Sequence, residues 1–163
     1  MIKQRFKQAS YMDLGTTAAP AYEFMGTGFT GLDENPGAKE KSTKYINDKS
    51  STSSITGYEW QSDYTADQIL SEKVIQEIVD IGKFQKTGED AERDYVIVDL
   101  DSPVTGKDNT YTARKIKVAI KVEKFGDDDG NMTCEGTLLG IGDVVAGTFD
   151  TTAKTFTAGS VVA

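Results

Sequence analysis

The residues best placed to do chemistry fall into three groups, and each lacks something that the chemistry requires. Gly26-Thr27-Gly28-Phe29-Thr30-Gly31 spells the G-x-G-x-x-G of a dinucleotide-binding turn. That turn works only if a helix opens at its third glycine and aims its amide groups at a pyrophosphate. Here Leu32-Asp33-Glu34-Asn35-Pro36-Gly37 follows, which cannot open such a helix. Asp127, Asp129 and Asn131 alternate as calcium ligands do, but Gly130 comes one step early for an EF-hand loop and no helices flank it. The stretch reads as a solvated hairpin turn. Cys134 is the single cysteine, so it forms no internal disulfide and no zinc cluster, and it reads as a small buried hydrophobe in a strand.

The chain contains no histidine, which removes the side chain most used for proton transfer near neutral pH. Its 26 acidic residues sit mostly in turns or on wet faces, where nothing shifts a carboxyl pKa towards catalysis. The expectation is a protein that is not an enzyme and takes no cofactor or metal.

The elements that would position any site are mostly strands. Residues 6–14 and 22–30 read as the first two, and 57–64 alternates, with Tyr58, Trp60 and Tyr64 on one face and Glu59, Gln61 and Asp63 on the other. A helix is expected over 66–81, with Thr65 as N-cap, Gln68 completing a capping box and Asp67 complementing the dipole. Its apolar stripe is Leu70, Val74, Ile75, Ile78, Val79 and Ile81, and Gly82 is its natural stop. Strands follow at 94–101, 110–125 and 132–139, with a last hairpin over 144–156. On the longest strand Ile116, Val118, Ile120 and Val122 share one face and Lys115, Lys117, Lys121 and Glu123 the other. The predicted fold is a single domain over 1–163, mainly β, with two packed antiparallel sheets and one flanking helix. Residues 31–54 stand apart as a long polar loop whose large apolar residues are Leu32, Tyr45 and Ile46.

At 163 residues the chain can bury a real core, and its net charge of −8 argues against a phosphate-gripping surface. The N-terminal residues lack the apolar run of a signal peptide and no stretch is apolar enough to span a bilayer, so the expected site of synthesis is the cytoplasm, with no membrane partner.

In this order, the elements resemble the major tail tube family of long-tailed bacteriophages. The resemblance rests on Tyr11-Met12-Asp13-Leu14-Gly15, on Ile55-Thr56-Gly57-Tyr58 closing the polar loop, and on Asp67-Gln68-Ile69-Leu70 leading through Gly82 to Asp94-Tyr95-Val96-Ile97-Val98-Asp99. Its last part runs from Ala113-Arg114-Lys115 through Gly136-Thr137-Leu138, Gly140-Ile141-Gly142-Asp143 and Gly147-Thr148-Phe149-Asp150 to Lys154-Thr155-Phe156-Thr157. It implies hexameric rings stacked into a hollow tail tube, with sheets of neighbouring subunits joined around the lumen. The implied partners are further copies of the chain, a tape-measure protein in the lumen, and tail terminator and distal tail or baseplate proteins, with a sheath if the tail contracts. DNA would pass through without specific binding, and the protein would reside in the virion tail. The same fold builds inner tubes of contractile tails, tail-like bacteriocins and type VI secretion systems; a non-contractile tail is the favoured reading.

On this reading the 31–54 loop reaches the adjacent ring through Lys39, Lys41, Lys44, Tyr45 and Ile46, and Glu59, Asp63 and Glu135 face the lumen. A ring of six would carry about −48 formal charges, repelling DNA from the wall. Lys115, Lys117 and Lys121 run against that picture unless they face neighbours or outside solvent, or an acidic row such as Glu59, Asp63 and Glu135 neutralises them. The reading from another class is a small β-sandwich binding or adhesion module, with Trp60 and the tyrosines as a ligand platform.

Overall fold

The computed structural model describes residues 1–16 and 18–159. In chain order they form β1 (Gln8–Asp13), β2 (Tyr22–Phe24), β3 (Phe29–Asn35), β4 (Ala38–Thr43), β5 (Thr52–Tyr58), β6 (Gln61–Asp67), α1 (Lys73–Lys83), β7 (Glu92–Pro103), β8 (Thr110–Asp128), β9 (Asn131–Asp150) and β10 (Thr155–Ala158). The chain is mainly β and antiparallel with one α-helix, as its patterning predicts.

The organising unit is the long β8–β9 hairpin, closed by the two-residue turn Asp129-Gly130, both at positive φ. Two arms attach to different halves of it. β7 pairs with β8 over Tyr111–Ala119 and carries β1 and β2 outward, while β6 pairs with β9 over Thr133–Leu139 and carries β3. Register shifts at Lys115/Lys117 and Val122/Lys124 bend the ribbon between its halves, the usual device by which a strand passes from one packed layer to another. The arms meet around one apolar cluster that includes Met12, Tyr95 and Ile97 from one side and Trp60, Tyr64 and Ala66 from the other. Ile116, Val118 and Ile120 of β8 point into it, as their period-two spacing predicts. A second cluster, with Tyr11, Tyr22 and Phe149, fills the opposite face of β1, β7, β8 and β9.

The helix differs from expectation in its start. Residues 61–67 remain strand, because Thr65 and Ala66 pair with Glu135 and Cys134 on β9. Seven ladder pairs outweigh a local capping signal, so Thr65 caps nothing, and α1 begins at Lys73 behind Glu72. Leu70 falls outside the helix and is exposed, whereas Val74, Ile75, Ile78, Val79 and Ile81 are buried as expected. Gly82 lies within the last turn rather than ending it. A Cβ there would meet Val122 Cγ1 at 2.6 Å, so the bare glycine lets the helix seat against β8.

The larger correction concerns residues 31–54. They are not a loop: β3 continues to Asn35, and β4 and β5 form a separate two-stranded sheet. The expected strand at 22–30 is correspondingly two, β2 and the start of β3, with Gly28 in the turn between them.

Candidate assembly surfaces

The β4–β5 hairpin has no buried residue on either strand. It is joined to the body by two short links, and at its root the Glu59 amide donates to the Gly37 carbonyl at 2.8 Å. Thr56 Oγ1 donates to the Lys39 carbonyl at 3.3 Å within it. Its tip is a built turn: the Tyr45 amide donates to Asp48 Oδ2 at 3.0 Å, and the Asp48 amide returns a bond to the Tyr45 carbonyl at 3.0 Å. That turn holds out Tyr45, 69% exposed, and Ile46, fully exposed. Lys39 bridges to Glu59 at 3.0 Å at the root, whereas Lys41 and Lys44 have no ion-pair partner among the described residues.

The body leaves backbone unpaired at two edges of one layer. Beyond β3 no strand pairs, and residues 120–128 of β8 have no ladder on the side away from β9, among the described residues. Unpaired N–H and C=O groups of this kind are templates for another strand. The outward face between these edges carries a charge gradient. Asp33 lies beside Asp63, Asp63 beside Thr137 and Thr137 beside Lys121, so the row runs from acid at β3 to base at β8. The next row sets Glu135 beside Lys124.

This geometry answers where the lysines of β8 go. Lys117 pairs with Glu92 at 3.3 Å and Lys121 with Glu123 at 2.7 Å, while Lys115 lies over the Phe156 ring at 5.2 Å. The proposed neutralising row does not form as such. Glu59 faces Lys39 on the hairpin, Asp63 accepts from Thr137 Oγ1 at 2.9 Å, and Glu135 is 3.9 Å from Lys124. Asp63 and Glu135 do share the outward face of β6 and β9; Glu59 belongs to the hairpin root instead.

A cleft of about 860 Å³ lies where the hairpin root meets the bend of the β8–β9 ribbon. At its wall Arg114 donates to both carboxylate oxygens of Glu34, at 2.8 and 3.0 Å, and that bond holds the guanidinium proton more tightly than usual. Trp60 also lines the cleft, and its buried indole N–H has no acceptor among the described residues. Residues 139–146 of β9 are exposed throughout, including Leu139, Ile141, Val144 and Val145. Sequence reading did not single out this cleft. Its one signal is Gly140-Ile141-Gly142-Asp143-Val144-Val145, whose apolar residues fall on both parities of a strand, the pattern of burial on two sides.

Other groups belong to the framework. Tyr95 Oη donates to Ser10 Oγ at 2.9 Å, and burial pushes its hydroxyl up to about 12. Burial likewise pushes the Cys134 thiol up to about 11, as suits a packed, unreactive strand residue. Trp60 and Tyr64 are in the core, so of the expected aromatic face only Tyr58 is open to solvent. Among the described residues no cluster of His, Cys, Asp and Glu could hold a metal ion, and no helix is long and apolar enough to cross a membrane. No protein-family model matches the chain, and none of the curated proteins matches it.

Proposed function

We propose that this chain is a tail tube subunit of a long-tailed phage or phage-derived tail, assembling into stacked hexameric rings around a channel. The observation that carries the reading is the β4–β5 hairpin. An isolated two-stranded hairpin is marginal in water, yet here one with no buried residue projects an ordered apolar tip from a complete body. Such an element is finished by contact with another molecule.

The edges supply the lateral contact. The β3 edge and the unpaired run 120–128 of β8 lie on the same layer, and pairing them head to tail between copies closes a ring. The hairpin then supplies the axial contact, with Tyr45 and Ile46 as anchors and Lys41 and Lys44 setting register. Asp63 and Glu135 face the channel in this arrangement, and the net charge of −8 per copy keeps DNA from lodging on the wall. A tape-measure protein occupies the channel during assembly, terminator and distal tail proteins close the ends, and no catalytic step or cofactor is involved. The virion tail is its site of action.

Negative-stain microscopy of the purified chain, in buffer with a chelator and no nucleotide, tests the proposal. Rings or tubes of uniform diameter are expected. A chain that stays monomeric at every concentration and salt condition overturns it.

A further inference from the structure

The hairpin has a chemically distinct feature at each end. Its tip offers Tyr45 and Ile46, two exposed apolar side chains held by the Asp48 turn. Its root borders the cleft that Trp60 lines, and there the complementary needs are found. The walls include Tyr58, Leu139 and Val144, all exposed apolar residues, beside the clamped Glu34–Arg114 pair. Trp60, nine-tenths buried, contributes to the lining. Asp143 on the rim has no ion-pair partner among the described residues.

The cleft is matched by an occupant that brings apolar side chains and a positive charge. The tip of the same hairpin brings both. Tyr45 and Ile46 fill apolar space, and Lys44 and Lys49 flank them. The charges also match on the larger scale. Residues 38–58 carry four lysines against Glu40 and Asp48, net +2, in a chain whose total is −8.

We infer that the hairpin tip of one copy seats in the Trp60 cleft of a second copy. Tip and cleft lie at opposite ends of one hairpin, whose six-residue β4 alone spans about 20 Å. A copy cannot fill its own cleft without dismantling the hairpin, so the contact is intermolecular and heterologous. Repetition displaces each copy along the hairpin direction and leaves a free tip at one end and a free cleft at the other, which makes an open stack. This inference rests on the self-assembly reading above and names the receptor for the tip.

Two variants of the full chain test it. The tip variant is Tyr45→Ser with Ile46→Ser; the cleft variant is Val144→Asp, at a site 45% exposed and so replaceable without loss of the fold. Each alone should raise the critical concentration for axial growth at least tenfold, measured by light scattering, while its thermal melt stays at the wild-type temperature. Mixed, they should form species of twice the mass of either alone and grow no further, because the one working tip meets the one working cleft. If the mixture is no heavier than its components, or if Val144→Asp stacks like wild type, the inference is overturned. Should Val144→Asp melt early, Asp143→Lys at the exposed rim replaces it under the same criteria. Wild-type tubes beside a failed mixture sink the cleft assignment alone, whereas a wild type that never assembles sinks the self-assembly reading itself.

Discussion

Two β-hairpins in this chain are built to opposite specifications. β8–β9 is long, bulged and seated on both layers, with Ile116, Val118, Ile120, Cys134 and Leu138 in the main core. β4–β5 is short and has no buried residue on either strand. The first is completed by the rest of its chain, through β7 on one side and β6 and β10 on the other. The second has no such neighbours and ends in apolar side chains facing solvent. A hairpin completed within the chain contributes to folding; one left incomplete is, on the function proposed above, the one that serves association.

That contrast predicts a ranking of effects on the stability of the lone subunit. The largest should come from Ile78→Asp, which places a carboxylate where α1 meets the main core. An unpaired buried charge costs about 3–5 kcal/mol, so loss of the folded signal by circular dichroism is expected; a normal melt would show that α1 does not seal that core. Next is Tyr64→Phe. The Tyr64 hydroxyl donates to the Lys121 carbonyl at 3.1 Å, tying β6 to β8 across β9, and its loss should cost about 1 kcal/mol in urea unfolding.

A smaller effect belongs to alkaline pH. Burial raises the Cys134 thiol from 9.0 to about 11 and the Tyr95 hydroxyl from 10.0 to about 12. Both groups hold their protons more tightly folded than unfolded, so their contribution is complete below pH 9 and is lost as the pH rises through 11 and 12. The melting temperature should fall over that range. With no histidine, it should be level between about pH 6 and 8. The smallest effect should come from replacing residues 38–58 by a short Gly-Ser turn. The body should melt within about 0.5 kcal/mol of wild type, while stacking is abolished. A large loss of subunit stability, or normal stacking, would erase the distinction between the two hairpins.

The legibility of the sequence follows the same division. β8, the 132–139 part of β9 and the turn between them could be read because one face of the ribbon is buried there, and burial imprints a period of two; the exposed run 139–146 carries no such imprint, so β9 reads as two separate strands instead of one. The β4–β5 hairpin could not, because neither face is buried and its polar run 38–44 looks like any loop. Sequence alternation reports which side is dry rather than whether the backbone is extended. The helix was legible from Val74 onward, where its stripe meets the core, but not at its start, where pairing of Thr65 and Ala66 with β9 overrides a capping signal. Among the candidate site residues, Tyr45 and Ile46 stand exposed at the tip, and Asp63 and Glu135 share a face without Glu59. Arg114, Glu34 and Trp60 were out of reach as a group, since only the bend of the ribbon brings β3, β8 and the start of β6 to one cleft.

The way β4 and β5 join the body has a mechanical consequence. β3 ends and β6 begins at the same end of their ladder, so tension applied at the hairpin tip pulls both strands in one direction. That force slides β6 along β9, loading the seven registered pairs from Gln61↔Leu139 to Asp67↔Thr133 together instead of peeling them one at a time. The Tyr64–Lys121 bond acts as a crosspin against that sliding. A filament held by such tips is expected to resist stretching through its subunit cores and to part first at the contacts between copies.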